Sequence, residues 1–281
     1  MAIVVDGNKL ALEREADLRK KVNKLKGLGI VPKLAIIVMK DDSAGQLYSR
    51  LKKEAAKRVG IKLIKYQFED LKAEEIVELI KGLNKDEKVQ GIVVQRPGIS
   101  WGKKHKMDRD EFEVWWKTIV QTIELKKDVD GLREDSRFLL GAVKAVQIIL
   151  DEVEIKGRKI VIAGSRGLMG RRLVKYFSDK DFEVKGVDVG EDLSKATIKA
   201  DILISVTGKE GLITSEMVKK GAMVIDGGWP RGDVKFDEVK NKAKVITPVP
   251  GGMGPLTVVS LLENLVEGIY NSEITHIDQL P

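Results

Sequence analysis

The feature that most constrains the fold is an alternation. Short, continuously apolar runs rich in Val and Ile are each followed by a turn and then by a charged stretch with apolar residues at helical spacing. The run Leu34 to Met39 is too short and too β-branched for a helix, and the pattern repeats with Ile61 to Phe68, interrupted by Lys62, Lys65 and Gln67, and with the strand Gly91 to Val94. Between them, Gln46 to Val59 and Ala73 to Leu83 repeat their apolar residues at the helical period. A strand that is apolar along its whole length is buried on both faces, as in parallel sheets whose strands are joined by right-handed helical crossovers. The N-terminal part is therefore α/β, preceded by a surface helix around Leu10 to Leu25 that Gly27 and Gly29 end.

The alternation resumes after Gly157, with strand Lys159 to Ala163, a glycine-rich turn, helix Leu168 to Phe177 and strand Glu183 to Val187. Further strands are expected at Ile202 to Val206 and Met223 to Ile225, and the Pro/Gly-rich stretch Pro248 to Pro255 precedes a final helix, Leu256 to Tyr270. A strongly apolar helix, Arg137 to Leu150, links the two series, so a domain boundary falls near residues 132 to 157. Gly98 to Lys127 fits no single period: Trp101, Trp115 and Trp116 stand among charges, and the expectation is an irregular loop followed by a helix around Asp110 to Thr122.

Composition removes whole classes of chemistry. At 281 residues and 43% hydrophobic content, the chain has room for two α/β domains with cores of their own. It has no cysteine, which excludes disulfides, thiolate metal sites and a cysteine nucleophile. Its two histidines, His105 and His276, leave little for a histidine metal site or triad, and no metal is expected. A net charge of +7 could suggest nucleic acid, but 50 basic residues are interspersed with 43 acidic ones and aromatics are only 5%, so no nucleic-acid partner is expected. No apolar run approaches the roughly 20 residues of a membrane span, and the chain reads as cytoplasmic with no membrane partner.

The segment Val161 to Gly170 turns a buried strand into a helix through Gly164, Gly167 and Gly170. Glycines there let the backbone approach a pyrophosphate, and the free amides of a helix N-terminus attract its charge. The spacing is GxxGxxG rather than GxGxxG, and close strand-helix packing alone also uses glycine; the flanking βαβ pattern favours the cofactor reading. Asp188, at the end of the next strand, suits the adenosine ribose of NAD and would repel the extra phosphate of NADP. Arg166 could instead bind that phosphate. All of these charges also read as plain exposed surface, which is the better reading for Lys185.

Four stretches carry a resemblance: Tyr48-Ser49-Arg50-Leu51-Lys52, Val93-Val94-Gln95-Arg96-Pro97, Lys127-Asp128-Val129-Asp130-Gly131, and Thr247 to Val258, which reads TPVPGGMGPLTV. In this order they resemble the methylenetetrahydrofolate dehydrogenase/methenyltetrahydrofolate cyclohydrolase family over nearly the whole chain. The resemblance implies an N-terminal catalytic, folate-binding domain (1–135, with the returning helix 256–281) and a C-terminal Rossmann-type NAD(P)-binding domain (136–255). It also implies a homodimer. The activity implied is oxidation of 5,10-methylenetetrahydrofolate with NADP, the family default, or with NAD because of Asp188, and then hydrolysis of the methenyl product. A dehydrogenase alone, or a non-catalytic folate- or dinucleotide-binding protein of the same fold, are the alternatives. Lys52 is implied as the central catalytic group, with Gln95 orienting it, Tyr48 packing on the folate and Asp130 holding the pterin. Val94, Pro250, Gly251, Gly252 and Thr257 are implied to line the substrate site, and Gly164, Ser165, Arg166, Gly170, Asp188, Thr207, Gly208 and Trp229 the cofactor site.

The residue types make these roles chemically sensible. Tyr48 and Lys52, one helical turn apart, share a face, although a surface pair at that spacing is the commoner case. A lysine exchanges protons near neutral pH only when desolvated or set beside another cation, so Lys52 is expected to be at least partly buried. Asp130 offers two acceptor oxygens to the paired N–H groups of a pterin edge; Asp128 is the alternative, and either could cap a turn. The chain departs from the family pattern at Arg96, where leucine is usual, at Gly98-Ile99, in the inverted order Ser165-Arg166, at Trp229, and at Phe138 to Val143, where a PCTP-like motif is common.

Overall fold

A computed structural model describes residues 2–69, 72–151, 155, 157–188 and 191–274. His276 lies outside the described residues. The chain divides into two compact units, one made of Met1–Leu12 and Leu140–Ser260, the other of Glu13–Leu139 and Leu261–Pro281.

The second of these contains a three-stranded parallel sheet in the order β3-β2-β4, formed by β2 (Lys33–Met39), β3 (Lys62–Phe68) and β4 (Gly91–Val94). Its crossovers are helices α2 (Ser43–Val59) and α3 (Ala73–Lys85). Leu34 to Met39 are fully buried on the central strand, as expected for a strand covered on both faces. Each such Val, Leu or Ile contributes about 1.5–3 kcal/mol, and this burial rather than strand propensity holds the sheet. Helix α2 ends at Gly60, whose φ of 84° lets its N–H reach back to the carbonyls of Ala56 and Lys57. The C-terminal part of α10 (Met253–Ile269) belongs to this unit from Leu261 onward. Asn264 there donates to the carbonyls of Val129 and Leu139, and Arg14 pairs with Glu263 at 2.8 Å. The returning helix is thus part of the unit that carries the N-terminal motifs.

The tryptophan-rich segment is more regular than its sequence suggests. A short helix α4 (Ile99–Lys104) follows β4, and α5 (Arg109–Gln121) opens with a capping box between Asp108 and Glu111. The helix expected around Asp110 to Thr122 is α5, while α4 stands where an irregular loop was expected; Trp101 and Phe112 both pack on Trp115, and Arg96 lies 5.0 Å from the Phe112 ring and 5.1 Å from Trp116.

The other unit holds a six-stranded parallel sheet in the order β1-β9-β8-β7-β5-β6. Its strands are β1 (Ile3–Val4), β5 (Ile160–Ala163), β6 (Val184–Val187), β7 (Ile202–Ser205), β8 (Met223–Asp226) and β9 (Val245–Ile246). Helices α6 (Gly141–Asp151), α7 (Leu168–Ser178), α8 (Leu193–Thr197) and α9 (Phe236–Val239) complete it, with the start of α1 (Gly7–Gly27). Val161, Ala163, Val187, Leu203, Val224 and Ile246 join one buried cluster. The first residues, expected with the catalytic domain, pair instead with this sheet, Ile3 beside Val245 and Val4 beside Ile246. Two residues of an edge strand carry no periodicity that a sequence reading could use. No helix among the described residues is long and apolar enough to cross a membrane.

Candidate active site and dinucleotide site

The N-terminal motifs converge at the carboxyl end of the three-stranded sheet. β4 ends at Val94, and the next residue, Gln95, donates its backbone N–H to Ile37 on the central strand. Helix α2 begins beside it, with Gly45 in its first turn. A Cβ added to Gly45 would stand 2.2 Å from Asp42 Oδ2 and 3.1 Å from Gln95 Cγ, so glycine lets the helix start this close to Gln95 without displacing either side chain. Two turns on, α2 delivers Lys52, which is 2% exposed. Lys52 Nζ donates to Gln95 Oε1 at 3.2 Å and to Asp130 Oδ2 at 3.4 Å, and stands 5.1 Å from the centroid of the Tyr48 ring. Among the described residues, the other Asp130 oxygen accepts no hydrogen bond, which leaves it for a ligand N–H. A desolvated amine held by an amide oxygen and a carboxylate, with an aromatic face beside it, can position a flat substrate and move a proton.

The motif around Asp130 divides into two kinds of residue. Lys127 Nζ donates to the carbonyls of Leu83, Asn84 and Asp86 and so caps the end of α3; burial lowers its pKa. Asp128 is fully buried, and its two oxygens accept the backbone N–H groups of Leu132 and Arg133. Burial pushes the Asp128 carboxyl up to about 6. Of the two aspartates left open by the sequence, Asp128 caps the turn and Asp130 faces Lys52. Val94 is buried within the sheet opposite Ile37.

A neighbouring network went unread in the sequence. The Asp41 carboxylate accepts from Trp101 Nε1 at 2.6 Å and Lys104 Nζ at 2.8 Å, with His105 Nε2 at 2.9 Å. Burial acts to raise its pKa, but the hydrogen bonds from Lys104, Trp101 and His105 outweigh that and hold the carboxyl well below the ordinary range. Asp42 beside it is pushed up by burial. The Asp-Asp pair before a helix was the available signal, and it looks like an ordinary cap.

The glycine turn of the other unit has the close approaches a pyrophosphate loop needs. Gly164 adopts φ +87°, and a Cβ there would meet Val206 O at 2.6 Å; one on Gly170 would meet Gly164 O at 2.1 Å. Both positions admit only glycine without a backbone shift. Ser165 packs on β6, where a Cβ on Gly186 would touch it at 2.6 Å. Arg166 contributes its backbone N–H to Asp188 Oδ2 at 2.8 Å, while its guanidinium, mostly exposed, lies 3.9 Å from Glu191. Asp188 therefore pins the turn from the residue that follows β6. Thr207 and Gly208 follow β7, and a Cβ added to Gly164 would lie 3.0 Å from Thr207 Cα. Trp229 is half-buried in the strap after β8.

Pro250 is exposed, and Gly251 has φ +101°, with Asn8 2.9 Å from an added Cβ. Gly252 is buried against Gly7, and Thr257 turns its hydroxyl to the Met253 carbonyl of its own helix. Among the described residues no group of three or more His, Asp or Glu could hold a metal ion.

A parallel Rossmann-type sheet with a glycine turn, and an α/β unit with a buried lysine between an amide and a carboxylate, define a two-domain, dinucleotide-dependent class of enzyme. Within that class the assignment is specific. The catalytic-domain model of the tetrahydrofolate dehydrogenase/cyclohydrolase family matches residues 5–130, and its NAD(P)-binding-domain model matches residues 141–273. The chain belongs to this family. The Bifunctional protein FolD of Exiguobacterium sp. is 37% identical, covering 95% of this chain and 98% of that protein. That of Aquifex aeolicus is 34% identical, covering 99% and 98%. Among solved structures, the bifunctional FolD of Campylobacter jejuni superposes with TM-score 0.84 at 33% identity, over 96% of this chain and 99% of that one. The Trypanosoma brucei methylenetetrahydrofolate dehydrogenase-cyclohydrolase, complexed with NADP and an inhibitor, gives 0.85 at 29% identity, over 96% and 98%.

Proposed function

We propose that the chain oxidises 5,10-methylenetetrahydrofolate to the methenyl form with NADP and then hydrolyses that product to 10-formyltetrahydrofolate. The observation that carries this reading is the buried Lys52, tied to Gln95 and Asp130 within the part of the chain matched by the catalytic-domain model. A non-catalytic folate binder would have no use for a desolvated amine so placed.

The dinucleotide supplies a hydride acceptor; Gly164, Ser165, Arg166 and Gly170 would hold its pyrophosphate, with Asp188, Thr207, Gly208 and Trp229 around the rest. On the folate side, Tyr48 offers its ring to the flat pterin and Asp130 accepts from its paired N–H groups. Hydride loss from the one-carbon bridge leaves a methenyl cation. Water adds to that carbon, a ring C–N bond opens to give the formyl group, and one proton is released. Lys52 Nζ is the group placed to receive and pass on that proton, and Gln95 keeps it aimed. The same reading assigns Pro250, Gly251, Gly252, Thr257 and Val94 to substrate binding.

The same reading includes a homodimer. Among the described residues β6 ends its sheet with one unpaired edge, a surface on which a second copy can pair; a species of 31.2 kDa by light scattering would refute this. It also places the enzyme in the cytoplasm, since its substrate and cofactor are charged solutes that do not cross membranes unaided, and cell fractionation tests that. The activity itself is tested by methenyl absorbance during turnover, with NADP and NAD in parallel. Transient methenyl followed by formyl product is expected. Methenyl that decays only at the uncatalysed rate would leave a dehydrogenase alone, and no oxidation with either dinucleotide would overturn the assignment.

A further inference from the structure

The strap 226–234 after β8 holds two buried carboxylates that no step above uses. Asp226 is 3% exposed and Asp233 fully buried. Asp226 is satisfied entirely by the strap's own backbone: Oδ1 accepts from the N–H groups of Gly228 at 2.8 Å and Asp233 at 3.0 Å, and Oδ2 from Val234 at 3.0 Å. Asp233 reaches outside the strap. Its Oδ2 accepts from Ser205 Oγ at 2.8 Å and from the Thr207 N–H at 2.6 Å, while its Oδ1 is buried with no hydrogen-bond partner. The fit is close, since a methyl on Gly228 would lie 2.8 Å from that Oδ1.

Closure of a turn explains Asp226 in full. It does not explain Asp233, because leaving a buried carboxylate oxygen unpaired costs roughly 1–3 kcal/mol and the strap is already closed by its neighbour. What Asp233 adds is a fixed end to β7. The bond to Thr207 orients the peptides leading to Gly208, which has φ +65°. The glycine turn rests on the same place, with Gly164 against Val206 O and Thr207 Cα. In doubly wound sheets the loops at the carboxyl ends of the strands receive the dinucleotide, so one carboxylate holds two of those loops in register.

We infer that Asp233 is a positioning residue for the dinucleotide: it sets the end of β7 from Ser205 to Gly208, and through it the Gly164 turn, in the geometry that receives the cofactor. This rests on the dinucleotide-dependent reading above and assigns a role to a residue outside the motifs that carry the resemblance.

The test compares Asp233→Leu, which fills the space without an acceptor, with Asp233→Asn, whose amide oxygen can replace Oδ2 while its NH2 takes the place of the unpartnered Oδ1. NADP binding is measured directly and as KM, and cyclohydrolase kcat/KM, which needs no dinucleotide, serves as the internal reference. Asp233→Leu is expected to weaken NADP binding about tenfold or more, the scale of losing a hydrogen bond to a charged group, with Asp233→Asn within about threefold of wild type. Cyclohydrolase kcat/KM should stay within about twofold in both, because no cofactor loop takes part in that step. Unchanged NADP binding in Asp233→Leu, an Asn variant as weak as the Leu one, or a matching loss of cyclohydrolase activity would each overturn the inference. Should Asp233→Leu not fold, Ser205→Ala removes one of the two donors to Asp233 Oδ2, and wild-type NADP affinity there would overturn it equally. A wild-type protein that binds neither dinucleotide would refute the parent reading itself, an outcome distinct from a variant that binds as well as wild type.

Discussion

Replacing Lys52 by Met separates what the amine does for chemistry from what it does for the fold. Met keeps most of the lysine stem, so no large cavity opens, and the change is confined to the amine tip. That tip stands 3.4 Å from Asp130, and the two side chains are 3% and 12% exposed. Removing one partner of a fully buried pair costs about 3–5 kcal/mol, but this contact is longer than an ideal charge-assisted bond and Asp130 keeps some solvent, so about 2–3 kcal/mol is expected. Asp130→Asn in the Lys52→Met background removes the stranded carboxylate and should return about half of that loss. Urea unfolding followed by tryptophan fluorescence suits the measurement, because Trp101, Trp115 and Trp116 lie in the same unit as the pair. Cyclohydrolase turnover, followed by methenyl absorbance, should fall by about 10²–10⁴ in Lys52→Met and remain lost in the double variant. A double variant that regains turnover, or a single variant that keeps it within about tenfold, would refute Lys52 as the proton-handling group. Strictly additive stabilities would refute the coupling to Asp130.

Other expectations follow from the same geometry. Burial raises the Asp128 carboxyl from 3.8 to about 6, so the folded state binds its proton more tightly than the unfolded chain. Its contribution favours folding below about pH 4 and is lost as pH rises through about 6, about 3 kcal/mol in all; a stability difference between wild type and Asp128→Asn that stays flat from pH 4 to 7 would contradict this. Gly164→Ala combines φ +87° with a Cβ 2.6 Å from Val206 O and should weaken NADP binding about tenfold or more while sparing the cyclohydrolase step, as titration of NADP binding will show. Arg96→Leu removes a guanidinium stacked on Phe112 and Trp116 and paired with Glu113 at 2.6 Å, and should cost about 1–2 kcal/mol in urea unfolding.

Most of the fold was legible because β4, β5, β7, β8 and all but the first residue of β2 are buried. A strand such as β2, fully buried from Leu34 to Met39, has no polar residue to blur it, and Gly91 to Val94 was readable to the residue for the same reason. What escaped was held by few residues or by contacts distant in sequence. β1 is two residues long, and β9 likewise; α4 is six residues long and is held by the packing of Trp101 on Trp115 and its anchoring on Asp41. None of these produces a period. In the site, the spacing of Tyr48 and Lys52 showed a shared face, but that Lys52 points inward is set by Gly45, whose missing side chain lets α2 start against Gln95.

The stretch Lys127 to Asp130 shows why residue type alone could not assign roles. It contains three charged residues, all of them buried. Lys127 is consumed by three carbonyls at the end of α3, and Asp128 by two backbone amides, so each has its hydrogen-bonding capacity matched by groups that cannot leave. Asp130 alone meets a side chain, through one oxygen, at a longer distance. A buried polar group whose partners are all backbone is fixed by the fold and fixes it in turn, whereas one partnered loosely by another side chain retains capacity for a ligand. The same division separates Asp226, closed within its strap, from Asp233, which reaches across to the end of β7 with one oxygen unmet. In both units the carboxylate with capacity left over lies next to one whose capacity is exhausted, and the exhausted one is what holds its neighbour in place.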